Sequence, residues 1–146
     1  MTQNNLYVTL FSNASRDIYE QNTHADFTAM LSEPIDLVST SNWEVGISEI
    51  SCSTFHEVAN HVIIYCNLIS PLFVGDSTFR CMRTFHLYIS ATRQHEFRNI
   101  KYVPEEQRGF QDIRIELLTT GCLHISFEDS TIPTEVVLDF RKNYQG

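Results

Sequence analysis

Hydrophobic and polar residues alternate along most of this chain, so that apolar side chains recur at every second position. Leu6, Val8 and Leu10 share one side of the first such run, and Tyr7 and Thr9 lie on the other. A period of two residues is typical of strands that bury one face. The same pattern predicts further strands over 27–31, 43–47, 85–89, 113–117, 123–127 and 136–140.

Other local features refine this strand pattern. The last run places Asp139 and Arg141 on its outward face. The segment 62–69 is apolar on both faces, which predicts a strand covered on both sides. The sequence Thr-Thr-Gly at 119–121 predicts a hairpin, because glycine adopts the left-handed conformation that a three-residue loop requires. All prolines are predicted between strands, where a missing amide donor weakens no sheet; they are Pro34, Pro71, Pro104 and Pro133.

Two segments also fit helical spacing. Thr54 and Glu57 form a capping-box pattern ahead of apolar residues, which predicts one short helical turn near residues 54–60. The segment 107–117 fits either period, but its β-branched isoleucines favour a strand.

Composition supports a single domain built from strands. The 146 residues include 13 Ile, 13 Thr and 9 Val but only 5 Ala. β-Branched residues favour sheets, whereas alanine favours helices. A chain of this length predicts one domain covering residues 1–146. Together with the alternation, it predicts an all-β antiparallel sandwich of seven or eight strands.

Charge and hydropathy disfavour two classes of partner, nucleic acids and membranes. With 10 basic and 18 acidic side chains the formal net charge is −8, which disfavours direct contact with nucleic acid because phosphates need a basic face. No apolar run approaches the ~20 residues of a membrane helix, so no membrane insertion is expected. The first residues lack a basic segment and a long apolar stretch, which predicts synthesis in the cytosol without a secretory signal peptide.

No catalytic, cofactor-binding or metal-ligating set is predicted. The four cysteines contain no CxxC pair and are expected to be reduced and mostly buried. His24 and Asp26 are spaced as an acid–base pair on one strand face, but a solvated loop explains them better. His124 with Asp129 and Ser130 is also better explained as polar surface, because no GxSxG turn presents a serine. We therefore expect a protein that is not an enzyme.

Several longer stretches follow one another in a distinctive order over nearly the whole chain. They are 6–15 (LYVTLFSNAS), 22–23 (NT), 27–28 (FT) with Leu31, 33–37 (EPIDL), 43–50 (WEVGISEI), 74–76 (VGD), 102–104 (YVP), 110–116 (FQDIRIE) and 137–141 (VLDFR). In this order and spacing the chain resembles a capsid-associated protein of Polinton (Maverick) elements and the related adintoviruses.

The resemblance implies a minor capsid protein, the penton, which is a single jelly roll of about eight strands. It further implies homopentamers at the five-fold vertices of an icosahedral virion, beside a major capsid protein with a double jelly roll. A lectin-like β-sandwich that binds a host glycan or protein stays open as the alternative, because jelly rolls serve both roles.

A ring of identical subunits should leave apolar groups exposed on each subunit, because its heterologous contacts join two different surfaces. Aromatic residues that lie off the inward faces or beside loops are the candidates. They are Phe11, Phe79, Tyr88 and Phe97.

Overall fold

The computed structural model describes residues 5–37, 42–53, 62–69, 72–74, 77–79, 81–85, 94–97, 99–119, 123–127 and 131–143. Within these ranges the chain contains strands and no helix. The strands are β1 Leu6–Phe11, β2 Asp26–Asp36, β3 Asn42–Ser51, β4 Val62–Cys66, β5 Leu72–Val74, β6 Ser77–Phe79, β7 Cys81–Phe85, β8 Gln94–Glu96, β9 Val103–Pro104, β10 Gly109–Leu118 and β11 Glu135–Asn143. The helical turn expected near residues 54–60 lies outside the described residues.

The strands form two main antiparallel sheets. Sheet 1 has the order β1-β11-β3-β8, and β9 pairs with another part of β3. Sheet 2 has the order β2-β10-β4-β7, while β5 and β6 pair with each other. The all-β antiparallel sandwich predicted from the alternation is therefore confirmed.

The pairing of strands is nested along the chain. When the short β5, β6 and β9 are set aside, the first strand pairs with the last and the second with the second to last. In the same way β3 pairs with β8, and β4 pairs with β7. A ribbon folded in this manner is compatible with the jelly roll that the resemblance implies.

One hydrophobic cluster draws residues from both sheets. Phe110 of β10 stacks on Phe140 of β11, with ring centroids 5.6 Å apart, and this contact joins sheet 2 to sheet 1. The most deeply buried members, none more than 1% exposed, include Val45, Ile47, Leu138, Ile64, Ile113 and Ile115. Removal of this apolar surface from water stabilises the sandwich.

Most of the alternating runs become strands, but one does not. The runs beginning at Leu6, Phe27, Trp43 and Val136 lie in strands, and 109–118 forms β10 rather than a helix. The run 123–127 forms isolated bridges instead of a strand, among them the bridge between Leu118 and His124 next to the predicted hairpin turn. Most of the run 85–89 lies outside the described residues.

The prediction that every proline lies between strands is wrong for Pro34 and Pro104. Pro104 ends the two-residue strand β9. Pro34 lies inside β2, where residues 31–34 bulge outward opposite the single residue Gln111. Proline is tolerated in such a bulge because no ladder hydrogen bond requires its missing N–H.

Two of the four cysteines are described in full. Cys52 and Cys66 are buried free thiols, as expected. Burial raises the pKa of Cys52 to about 11 and that of Cys66 to about 12. Both thiols therefore stay protonated and unreactive at neutral pH. The side chain of Cys81 and the whole of Cys122 lie outside the described residues.

Candidate functional site

The four aromatic residues predicted at a subunit interface differ in their exposure and in whether the structure describes them. Phe11 ends β1 and is 42% exposed. Phe97 is only 7% exposed and belongs to the core cluster, so its predicted exposure is wrong. Its backbone N–H bonds to the Ser48 carbonyl at 3.0 Å, which extends the pairing of β8 with β3 and places the ring inside. The side chain of Phe79 and the whole of Tyr88 lie outside the described residues.

Phe11 belongs to β1, the strand that ends the order of sheet 1. Ser12, just after β1, donates its backbone N–H to the carbonyl of Thr134, the residue opposite, at 2.9 Å. This makes Ser12 and Thr134 a hydrogen-bonded pair, and such pairs recur at every second residue of an antiparallel ladder. The even-numbered residues of β1 therefore bind β11. The backbone N–H and C=O groups of Tyr7, Thr9 and Phe11 therefore point away from β11, in the plane of sheet 1. We call these three residues the β1 edge.

The residues of the β1 edge also carry the exposed side chains of the strand. Tyr7 is 61% exposed, and Thr9 and Phe11 are exposed as well. β1 has no charged residue and no proline. Among the described residues only one backbone group of this edge has a further partner, the Phe11 carbonyl, which accepts the Ala14 N–H at 3.2 Å. The β1 edge is thus uncharged and offers hydrogen-bonding groups to a partner strand.

The corresponding end of sheet 2 is β2, and the loop 12–25 covers its edge. Asn22 donates its Nδ2 to the Thr28 carbonyl at 2.8 Å and accepts the Thr28 N–H at its Oδ1 at 3.0 Å. A carboxamide has one acceptor and two donors, so it can replace a residue of a neighbouring strand. Asn22 does so at the centre of the β2 edge.

Two further residues of the loop continue this cover on either side of Thr28. Thr23 accepts the Asp26 N–H at its Oγ1 at 3.0 Å, and its own N–H donates to the Asp26 carbonyl at 2.8 Å. Ser15 accepts the Met30 N–H at its Oγ at 2.9 Å. The side chains and backbone of one loop therefore satisfy successive groups on the edge of β2.

A buried polar cluster anchors both ends of the loop to Thr134, the residue just before β11. The Ser12 Oγ accepts the Thr134 N–H at 2.8 Å and lies 2.6 Å from the His24 Nδ1. Thr134 in turn donates its Oγ1 to the His24 carbonyl at 2.7 Å. Ser12 is fully buried and His24 is 7% exposed, so His24 does not lie in the solvated loop that the sequence suggested. The Ser–His contact holds the loop in place, and Asp26, whose spacing from His24 would suit an acid–base pair, bonds to Arg114 instead.

Asp26, Glu116 and His124 bring three potential metal-ligand atoms within 4.8 Å of one another. The His124 Nε2 lies 2.8 Å from the Glu116 Oε1. Arg114, however, donates its Nε and Nη2 to the two oxygens of Asp26 at 3.0 Å each, and its Nη2 lies 3.5 Å from Glu116. This guanidinium occupies both oxygens of Asp26 and offsets one of the two negative charges, so the three ligand residues and Arg114 form an ion-pair network.

Glu105 is a titratable side chain buried at the end of β9, where it is 8% exposed. Its N–H donates to the Trp43 carbonyl at 3.0 Å, and the next residue donates to the Leu68 carbonyl at 2.7 Å. This segment therefore links β3 with the chain that follows β4. Oε1 accepts the Gln107 N–H, but Oε2 is buried without a hydrogen-bond partner in the described ranges. Burial raises the pKa of Glu105 to about 7.

The outer face of sheet 1 is also partly covered. Asp139 points outward from β11, as the alternation predicts, yet it is 1% exposed. It accepts the Tyr102 hydroxyl at 2.5 Å and the Asn5 Nδ2 at 3.0 Å. Burial and this hydrogen bond raise the pKa of Tyr102 to about 12. The Arg141 guanidinium lies 3.4 Å from the centroid of the Tyr102 ring, which fixes the ring against the sheet.

Gly46 of β3 makes room for this covering segment. A Cβ at Gly46 would lie 2.5 Å from the Ile100 Cγ2 and 2.8 Å from the Lys101 carbonyl oxygen. Only glycine permits so close an approach of another backbone. The chain before β9 can therefore lie directly on the outer face of sheet 1.

Two clefts of about 490 Å³ each lie beside the loop 12–25. One is lined by residues that include Tyr19, Asn22 and Arg114. The other includes Arg16 and the aromatic ring of Phe127. The polar groups of Tyr19, Asn22 and Arg114 already bond to other residues of the protein, so a polar ligand such as a sugar would use their remaining donor and acceptor capacity.

Among the described residues, Tyr7 is an exposed aromatic that was not among the predicted interface residues. The alternation had already placed it outward with Thr9, so the signal was present. No pattern in the sequence predicts that the loop 12–25 covers the edge of β2, because this contact depends on the folded path of a polar loop.

No protein-family model matches this chain, and the comparison with curated proteins found no match. Across the described segments, no helix has both the length and the apolar character needed to cross a bilayer.

Proposed function

We propose that this protein is a structural capsid protein and not an enzyme, and that it serves as the penton of an icosahedral virion. The nested strand pairing carries the proposal, because it is compatible with a single jelly roll, the architecture the resemblance implies. A single jelly roll matches a vertex subunit better than the double jelly roll of a major capsid protein.

Self-association requires apolar surfaces whose removal from water lowers the free energy. Large apolar side chains exposed on the described surface support it: Tyr7, Phe11, Ile18, Met30 and Leu123. In a ring of five, one side of each subunit meets a different side of its neighbour. Phe11 remains the candidate with a described side chain, and Phe79 and Tyr88 remain candidates outside it.

The proposed partners are four more copies of the chain and the double-jelly-roll major capsid protein around each vertex. The net charge of −8 supports a role in the shell rather than direct contact with the genome. The protein would be made in the cytosol of the host cell and reside in the virion.

Light scattering after size-exclusion chromatography tests the proposal on the purified full chain. A penton should give five times the mass of one chain, and electron micrographs should show five-fold rings. A strict monomer at high concentration, also missing from assembled particles, would overturn the proposal.

The second candidate is a glycan-binding module, favoured by the cleft that Tyr19, Asn22 and Arg114 line. A glycan array separates the two functions. Binding by a monomer that is lost on Arg114→Ala would favour this second role.

A further inference from the structure

We propose that the β1 edge pairs with the β1 edge of a second copy of this chain, in an antiparallel two-fold contact that joins the two copies of sheet 1. This contact goes beyond the ring proposed above, and it uses Phe11 for a two-fold contact, which leaves Phe79 and Tyr88 as the candidates for the ring. A five-fold ring needs heterologous contacts, whereas two identical edges that pair with each other form an isologous contact and close on two copies.

The register follows from the direction of the backbone groups. Tyr7, Thr9 and Phe11 direct their N–H and C=O groups outward, so in an antiparallel pair they must lie opposite one another. With Thr9 opposite Thr9 of the second copy, all three odd-numbered residues find partners. The Phe11 carbonyl already accepts the Ala14 N–H, and it would accept the Tyr7 N–H of the second copy with its other lone pair. A register shifted by two or more residues in either direction can also place odd-numbered residues opposite one another. It leaves at least one of Tyr7, Thr9 and Phe11 without a facing residue in the β1 strand of the second copy.

The side chains are self-complementary in this register. Tyr7 lies opposite Phe11 of the second copy, and Phe11 lies opposite its Tyr7, all on the outer face of the joined sheet. Aromatic pairs across neighbouring strands stabilise sheets. Both rings are exposed in the single copy, at 61% and 42%. Pairing would therefore bury apolar surface as well as complete backbone hydrogen bonds.

The second copy is a better occupant than a charged peptide because β1 carries no charge with which to select one. Edges that must stay single are commonly protected by lysine, proline or a bulge, and β1 has none of these within Leu6–Phe11. One strand pair is smaller than a standard protein interface, so we expect micromolar or weaker association. Each copy has a net charge of −8, and added salt should therefore strengthen the pairing.

A cysteine at the two-fold axis tests both the contact and its register. In Thr9→Cys two equal residues would face each other about 5.5 Å apart at Cα, within the range that a disulfide spans. Mild oxidation of this variant should give a cross-linked dimer. Tyr7→Cys alone should cross-link much less, but a mixture of Tyr7→Cys and Phe11→Cys should cross-link efficiently. Leu123→Cys, at an exposed residue away from β1, and the wild-type chain give the background.

The proposal is overturned if Thr9→Cys cross-links no faster than Leu123→Cys, or if Tyr7→Cys alone is the fastest. A second variant, Thr9→Lys, places two like charges at the axis and should raise the dimer dissociation constant at least tenfold, whereas Leu123→Lys should not. An unchanged dissociation constant for Thr9→Lys would also count against the contact. If Thr9→Lys keeps a five-subunit mass, that result supports the ring independently of this contact. If specific cross-linking occurs but no five-subunit mass is found, the ring proposal is overturned and the two-fold contact is supported.

Discussion

The edges of the two sheets differ in what satisfies their backbone. The edge of β2 is met by Ser15, Asn22 and Thr23, whose groups bond to successive N–H and carbonyl groups of the strand. The β1 edge has no comparable cover among the described residues. An antiparallel sandwich that does not close into a barrel must manage each edge separately. Here one edge is satisfied within the chain, and the other is suited to contact between chains.

The largest expected effect comes from detaching the loop that covers β2. Ser12→Ala removes a fully buried hydroxyl that bonds to both His24 and Thr134. Two buried polar groups would lose a partner, so we expect the free energy of unfolding to fall by about 3 kcal/mol. Urea denaturation measures this loss, and hydrogen exchange should show faster exchange of the Thr28 amide.

Ser32→Ala is the matched control, because Ser32 is exposed in the bulge of β2. It should change stability by less than about 0.5 kcal/mol. Equal losses in the two variants would show that Ser12 does not anchor the loop.

Uncovering only the centre of the β2 edge should have the next largest effect. Asn22→Ala deletes two hydrogen bonds to Thr28, and we expect a loss of about 2 kcal/mol. The variant should also associate more strongly than the wild type, because β2 would then expose backbone groups as β1 does. Urea denaturation and light scattering measure the two results.

Asn22→Asp provides the intermediate case. It keeps an acceptor for the Thr28 N–H but loses the donor to the Thr28 carbonyl, so its stability should fall between those of Asn22→Ala and the wild type. If Asn22→Asp equals the wild type, the donor half of the cover contributes nothing.

The side of sheet 1 remote from β1, where β9 pairs with β3, provides a third edge for the comparison. The cost of burying Glu105 there should appear as a dependence of stability on pH. Because burial raises the pKa of Glu105 from 4.5 to about 7, the folded protein holds a proton that the unfolded chain releases between these values. The free energy of unfolding should therefore fall as pH rises from about 4.5 to 7 and then level off. Glu105→Gln should remove about 1–2 kcal/mol of this fall, as urea denaturation at pH 5 and pH 8 would show.

Glu106→Gln changes the net charge by the same amount at the neighbouring position. If it flattened the pH dependence as much as Glu105→Gln, net charge rather than burial would be responsible, and the assignment to Glu105 would fail.

The smallest effect is expected for the ion pairs that join β10 to β2. Arg114→Ala breaks two hydrogen bonds to Asp26 on a partly exposed surface, where such pairs contribute about 0.5–1 kcal/mol. Arg114→Lys should retain part of this. The Asn22 cover should stay intact in both variants, so the Thr28 amide should keep its slow exchange. Fast exchange there would show that the ion pairs, and not the loop, protect β2.

The sequence predicted the strands and the sandwich, because burial of one face imposes a period of two residues. It could not reveal the cover over Asp139, since a period of two distinguishes inside from outside but contains no information about a second layer. Phe97 was misplaced for a related reason, because its position beside a loop suggested exposure whereas its backbone extends a pair with β3. The absence of charge in β1 was visible in the sequence, but the bare edge became evident only from the strand order.

The pairing of β1 with β11 also has a mechanical consequence. Leu6 begins β1 opposite Phe140 near the end of β11, so the chain enters and leaves sheet 1 at the same end. A force that pulls residues 5 and 143 apart would load the hydrogen bonds of this ladder one after another, as in opening a zip. We therefore expect β1 to peel away at low force, before the rest of the sandwich yields, with the strand that pairs between copies the first to be extracted.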